Sequence, residues 1–288
     1  MGLGSLFGGL GKVGTIKDLL ETYERREKTP PLTVESFVRA SGFYKLCARE
    51  EVLRSVHAVE REDIVSPALQ LTFDHGTALH WVLQNVTLPK LGVLLGKWFC
   101  LDCGAVYGVV NFHVTTPLEA AVHRPEKCCQ ESGNFRFEEY DLIDDQYRIT
   151  GHCDGFLGLS GYEGLGILEA KSIGTSQVWK IKNAPKVEHV LQAQIYMWLT
   201  GAKWAIVLYW EKGGYGTKSI KEYYVDRDES IIAKVKATLQ SMWTGMAGGA
   251  TPDRICLNAE CERALGCPVR VQCFEGYAPE PDDGVGTF

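Results

Sequence analysis

No stretch of the 288 residues approaches the roughly 20 consecutive apolar positions of a membrane-spanning helix; the best run, Ala205 to Trp210, is far shorter. Positive charge is also in short supply. Thirty Lys and Arg against 36 Asp and Glu leave a formal net charge of -6, which excludes a strongly basic nucleic-acid coat and confines any DNA contact to a local patch. The opening MGLGSLFGGLGKVG lacks the basic segment of a secretory signal. Leu6 stands where an N-acylation motif has Ser or Thr, so neither export nor a lipid anchor is expected. No internal repeat is visible. What is present is globular in kind: 45% hydrophobic and 23% charged residues, enough for a sizeable core in one large domain or two smaller ones. Ten cysteines in a chain with no mark of secretion point to metal binding rather than to a disulfide scaffold.

The pattern along the chain suggests its parts. Residues 1–14 and the acidic 276–288 read as flexible tails. Thr15 to Lys28 reads as a charged amphipathic helix stopped by Pro30 and Pro31, and a second helix starts near Ser41 and carries LCAREEVLRS. A third opens at GTALH, with Leu79, Val82 and Leu83 at helical spacing; together these make a helical part over 15–96. Between 97 and 133 the composition turns to Cys, Gly, Pro and His, as expected of an inserted lobe held by metal. Strand patterns follow in FRFEEYDLI, YRITGHCDGFLGL, ILEAKSI and KWAIVLYW, with SGYEGLG as a turn and helices over Glu188 to Leu199 and Ser230 to Met246. Strands between helices predict an α/β core over 134–250, a small mixed central sheet flanked by helices. A cysteine-rich motif occupies 251–275.

The segment GHCDGFLGLSGYEGLGILEAKS carries the chemistry. Side chains alternate along a strand, so Glu169 and Lys171 share one face while Ala170 takes the other, and a hairpin through Ser160 to Gly164 brings Asp154 alongside. Two converging carboxylates repel each other and need a cation to stay ionised in a dry site. Oxygen ligands suit Mg2+ or Mn2+, which can bind a phosphate oxygen and acidify a water, while Lys171 orients that water or stabilises charge on the phosphate. A Glu-x-Lys tripeptide alone is ordinary surface chemistry. His80 lies on the GTALH helix, where a single His serves structure as readily as ligation. Gln192 and Tyr196, four apart in VLQAQIYMW, put their polar tips on one helix face, towards DNA or the lysine.

The order GTALH, GHCDG, ILEAKS, QAQIY resembles the PD-(D/E)XK nuclease superfamily, in its RecB-like branch, over roughly Ser41 to Leu208. The resemblance implies a restriction-endonuclease-like fold in which His80, Asp154 and Glu169, helped by the Ala170 carbonyl, bind Mg2+ or Mn2+. It also makes Lys171 the catalytic lysine, with Gln192 and Tyr196 supporting the site and contacting DNA. Cys153 stands where the motif usually has Pro. The implied activity is a deoxyribonuclease, foremost an exonuclease on DNA ends or single strands. It would work beside a recombination or replication partner in the cytoplasm of a bacterial or phage-infected cell. An endonuclease with the same site, a non-catalytic zinc-containing DNA-binding module and an iron–sulfur electron carrier stand as alternatives.

The cysteines fall in two clusters. Cys47 with Cys261, Cys267 and Cys273, and Cys256 as a substitute, resembles the one-plus-three arrangement by which AddB-like and four-cysteine CRISPR adaptation nucleases hold a [4Fe–4S] cluster. Here the tight C-x-x-C of that pattern is missing, Arg263 and Ala264 occupying its place, and zinc or plain buried thiols fit too. The segments CLDCG and PEKCCQESG resemble a zinc ribbon, with Cys100 and Cys103 in one knuckle and Cys128 and Cys129 in the other, or with His113 or His123 completing the set. A metal-free ribbon and a redox C-x-x-C are the other readings of this lobe. Trp179, Lys180, Lys182 and Lys186 form a loop able to stack a base and hold phosphates, or simply a solvated surface. Cys153 is expected in the core, and His152 beside the site without a role.

Overall fold

A computed structural model describes residues 17, 21, 25–109, 111–128 and 133–275. The expected tails and Cys129 lie outside the described residues. In chain order the elements begin with β1 (Arg25–Thr29) and β2 (Val38–Arg39), a 3-10 turn Ala40–Lys45, α1 (Ala48–His57), β3 (Arg61–Val65) and α2 (Pro67–Val82). A π-turn Leu83–Thr87 and α3 (Leu88–Leu91) lead into β4 (Leu94–Cys100), β5 (Val106–Tyr107), β6 (Asn111–His113) and β7 (Val122–His123). Next come β8 (Phe135–Glu138), β9 (Tyr140–Asp144), β10 (Ile149–Cys153), β11 (Gly155–Leu157) and β12 (Gly166–Ile173). The chain ends with α4 (Thr175–Val178), α5 (Val187–Thr200), β13 (Trp204–Glu211), β14 (Ile220–Asp226), α6 (Glu229–Met246), α7 (Glu262–Leu265) and α8 (Arg270–Phe274).

The architecture is the expected mixed α/β one. The larger sheet runs β14-β13-β12-β11-β4-β5, with β7 and β8 also on β4; a second sheet runs β2-β10-β9-β6. β12 and β13 are parallel, joined by α5 as the crossover helix that parallel neighbours require. The second half of α5, Gln192 to Thr200, is wholly buried among Ile167, Tyr209 and the α6 residues Leu239 and Met242. A second core of Leu94, Trp98, Leu168 and Ala170 fills the other face of the large sheet. Because both faces are covered, β13 reads as a nearly unbroken apolar run, while β12 interrupts its apolar positions with Glu169, Lys171 and Ser172.

Two expectations change. The helix expected over Thr15 to Lys28 is cut short, because Arg25–Thr29 is strand β1, antiparallel to β3. Its charges face opposite charges on that partner, Arg26 with Glu62 at 3.7 Å and Lys28 with Glu60 at 3.5 Å, so pairing overrides local helix preference. The GTALH segment does not open a helix. α2 starts at Pro67, where Ser66 caps it by accepting from the Leu69 N–H at 3.3 Å and proline supplies a helical φ. The segment expected as an inserted lobe begins inside β4, whose Lys97 to Cys100 are part of the large sheet.

What positions the site is a double change of sheet. β8 belongs to the large sheet and β9 to the small one; β10 belongs to the small sheet and β11 to the large one. Each change occurs across one residue, Glu139 in the first case and Asp154 in the second. Gly155 makes the second crossing possible: its φ of +150° suits only glycine, and a Cβ there would lie 2.4 Å from Leu94 Cδ1.

Candidate active site

Strand register brings three carboxylates together. Tyr140 pairs with Cys153 in the β9–β10 ladder, which sets Glu139 opposite Asp154 one step further on. Gly155 pairs with Leu168 in the β11–β12 ladder, which sets Asp154 opposite Glu169. Asp154 is held on both oxygens: Oδ1 lies 2.9 Å from His80 Nδ1 of α2, and Oδ2 accepts from the Ala170 N–H at 2.7 Å. Gln84 locks the junction by donating to Glu139 Oε1 at 2.8 Å and to the Asp154 carbonyl at 3.0 Å.

His80, Glu139 and Asp154 offer ligand atoms within 4.8 Å of one another. Glu169 stands outside that tight group. It is 0% exposed; the Lys171 ammonium lies 2.5 Å from Oε1, and Oε2 has no hydrogen-bond partner. Burial pushes the Glu169 carboxyl up to about 8, with Asp154 adding to the rise and Lys171 opposing it. Glu139 is likewise raised, first by burial and then by Asp154. Burial works against a charge on His80, but its hydrogen bond to Asp154 and the nearby carboxylates win and raise it. The same contest raises Lys171, which stays an ammonium because Glu169 and Asp154 outweigh its desolvation.

These groups fit a hard divalent cation. The donors are carboxylate oxygens and one imidazole, the acids resist ionisation without a counter-charge, and Glu169 carries two buried oxygens with unmet hydrogen-bonding capacity. A cavity of about 270 Å³ opens on the site, lined by His80, Glu139, Asp154, Lys171, Gln192 and Tyr196 among others. Gln192 and Tyr196 are bonded to each other, Nε2 donating to Oη at 2.8 Å, and both are buried. Tyr196 packs on Gly151 so closely that a Cβ there would lie 2.6 Å from its ring. His152 is tied to Asp141 at 2.7 Å, and Cys153 is buried, as read from the sequence.

Glu139 is the residue the sequence reading missed. FRFEEYDLI is two strands broken at Glu139, and pairing of the second with ITGHC places Glu139 against Asp154 by register.

Cys100, Cys103 and Cys128 form the second group of ligand atoms within 4.8 Å, the Cys103 and Cys128 sulfurs being 3.1 Å apart. Neither His113, which faces Asp145 at 3.6 Å, nor His123 belongs to it. The terminal cysteines form no group as tight among the described residues. Cys47, Cys256, Cys267 and Cys273 nevertheless line one small pocket with Arg254 and Arg263. Cys261 is bonded to Cys256, which is raised to about 11 by burial and that neighbour. Arginines fasten the two ends of the chain here: Arg49 to the Pro252 carbonyl at 2.9 Å, Arg263 to that of Lys45 at 2.7 Å. No disulfide links the described cysteines. In the loop expected to meet DNA, Trp179 is 63% exposed with the Lys180 ammonium 5.4 Å from its ring, and Lys186 pairs with Glu188 at 3.7 Å. Among the described residues no helix is long and apolar enough to cross a membrane.

No protein-family model matches the chain, and no curated protein matches it. Among solved structures the chain is similar to an alkaline exonuclease from Laribacter hongkongensis, with 14% identity, coverage of 74% of this chain and 88% of that one, and a TM-score of 0.45. It is also similar to a protein designated SSO0001, with 16% identity over 90% and 96% of the two chains and a TM-score of 0.37. A phage related exonuclease from Haemophilus somnus 129PT is similar at 17% identity over 38% and 58%, with a TM-score of 0.28.

Proposed function

We propose that this protein is a Mg2+- or Mn2+-dependent deoxyribonuclease of the PD-(D/E)XK type that hydrolyses DNA from ends or along single strands. One observation carries the reading: Glu169, fully buried with Lys171 on one oxygen and no partner on the other, lies opposite Asp154, itself in ligand range of His80 and Glu139. His80, Asp154, Glu169 and the Ala170 carbonyl would hold the ion, and Glu139 joins them as a ligand. The ion supplies Lewis acidity towards the phosphate and acidifies a water. The chain's own residues do the rest. The Ala170 N–H and His80 fix the Asp154 carboxylate, and Gln84 fixes Glu139, so two of the acids are held in place before an ion arrives. Lys171, about a quarter exposed, extends from Glu169 to the cavity and stabilises charge building on the phosphate. Gln192 and Tyr196 brace the wall behind it.

The same reading includes two further metals. Cys100, Cys103 and Cys128 would hold a structural zinc, with the fourth ligand expected from Cys129, outside the described residues. Cys47, Cys267 and Cys273 with Cys261 or Cys256 would hold a [4Fe–4S] cluster or zinc, and the pocket lined by Cys256 favours Cys256. A recombination or replication partner and a cytoplasmic site of action complete the proposal.

The test is digestion of end-labelled single- and double-stranded DNA and of closed circular DNA with Mg2+ or Mn2+. Linear DNA is degraded and circles survive, and Lys171→Ala loses at least about 100-fold of the activity while keeping its far-ultraviolet spectrum. Cut circles replace the exonuclease with an endonuclease. Full activity in Lys171→Ala removes the catalytic assignment.

A further inference from the structure

α2 is an anomaly of packing. Its sequence PALQLTFDHGTALHWV is mostly apolar, yet none of its residues is buried. Leu71 is 47%, Phe73 49% and Trp81 55% exposed. Four turns of largely apolar helix left in water mark a surface that another molecule covers.

The helix lines one side of a groove of about 820 Å³. Phe73, Gly76, Thr77, His80, Trp81 and Gln84 all face it, at the three- and four-residue steps that make a single helical stripe. Its aromatic rings stand on either side of the small residues, and His80 is next to Trp81. His80 and Glu139 line both this groove and the cavity of the candidate site, so the two are continuous. Cations border the groove at its ends. The Lys212 ammonium bonds the Thr72 carbonyl at 2.7 Å near Phe73. Arg136 stands on β8, next to Phe137, whose N–H bonds Asn85 at 2.8 Å beyond Trp81. Arg136 and Lys97 share Glu138, at 2.7 and 3.6 Å, so two cations face one acid there. From Thr72 to Asn85 the groove follows about 20 Å of helix.

We propose that this groove is the track of a single polynucleotide strand entering the site, with bases stacked on Trp81 and Phe73 and phosphates held by Arg136 and Lys212. This rests on the nuclease reading above for the direction of the strand and for the choice of a strand over a peptide; the exposed rings and flanking cations are independent of it. An unpaired base offers a π-face to each exposed ring, which a paired base already spends on its neighbours, and flanking cations meet the backbone. A peptide has no use for the continuity with a carboxylate-lined cavity, since the groove would deliver it to a phosphate-cleaving centre.

The experiment is fluorescence anisotropy of a short fluorescein-labelled oligothymidylate with the full chain in EDTA, where no cleavage occurs. Trp81→Ala and Phe73→Ala should each weaken binding about ten-fold, the pair more, and Trp81→Phe should restore most of the loss. Arg136→Gln with Lys212→Gln should flatten the salt dependence. Both rings are solvent-exposed, so the variants keep the fold, which circular dichroism checks. Three outcomes overturn the proposal or its parent separately. Wild-type affinity in the double aromatic variant of a protein that does digest DNA overturns the groove and leaves the nuclease. Ring-dependent binding without cleavage under any divalent metal overturns the nuclease and keeps the groove. A dimer in sedimentation that Trp81→Ala dissolves, with oligothymidylate affinity unchanged, assigns the groove to a second copy of the chain and overturns the proposal.

Discussion

Glu169→Gln separates the electrostatics of the site from its shape. The carboxyl is fully buried and is raised from the ordinary 4.5 to about 8, chiefly by burial, with Lys171 opposing the rise. A carboxyl whose folded pKa exceeds its unfolded value holds its proton more tightly when folded. Its contribution is therefore wholly present below pH 4.5 and is lost as pH climbs to about 8. At about 1.4 kcal/mol per unit, the window of about 3.5 units amounts to about 5 kcal/mol against the folded, metal-free protein at alkaline pH. Glutamine has nearly the same shape and no proton to lose. It leaves Lys171 without its nearest counter-charge, with Asp154 still close, so part of the gain is cancelled. The expected result is a metal-free variant more stable than wild type by about 3 kcal/mol near pH 8 and little different near pH 4.5. Urea unfolding in EDTA across that range, with equal m-values, measures it. The same variant should lose the stabilisation that Mg2+ or Mn2+ confers on wild type. A variant no more stable than wild type at pH 8, or one whose advantage ignores pH, refutes the claim that Glu169 is an acid strained by burial and awaiting a cation.

Two other changes test the frame around the site. Arg54 is 2% exposed and donates to both Glu51 oxygens at 3.0 and 3.2 Å and to the Thr29, Pro30 and Val59 carbonyls. Arg54→Met strands a buried carboxylate whose pKa is already raised by burial, and should cost about 3–5 kcal/mol in urea unfolding. Adding Glu51→Gln should recover part of it, and two losses that simply add would show the pair to be uncoupled. Cys103→Ser should release the zinc of the inserted segment, read by mass spectrometry of the native protein. It should also open the stretch between Cys100 and Phe135 to protease, because that stretch has little core of its own and gains on the order of 10 kcal/mol from a structural ion. Wild-type protein without zinc would end that assignment.

The hairpin that joins Asp154 to Glu169 and Lys171 was legible because strand alternation and one turn suffice to place it. The crossover helix was legible for a similar local reason: the polar pair Gln192 and Tyr196 stands out within an apolar helix. Glu139 was not, and the reason is physical. Adjacent acids in FRFEEYDLI look interchangeable, yet Glu138 pairs with Lys97 across β4 while Glu139 falls where the chain leaves one sheet for the other. Such a crossing interrupts the ladder on both sides and frees one side chain to project into the crevice between the sheets. The strand pattern continues through the interruption, so nothing local marks it. The start of α2 was hidden in a comparable way. Its first turns are exposed and apolar, so they lack the amphipathic period that reveals a helix packed on a core, and only Ser66-Pro67 signals the true beginning. Both failures occur where the chain serves something other than its own packing. A carboxylate released from pairing and an apolar helix face left in water each lower the stability of the isolated fold, and they meet at His80. Under the proposed reading, the compensation for these two local sacrifices would come from outside the chain: a cation for the acids and stacked bases for the rings.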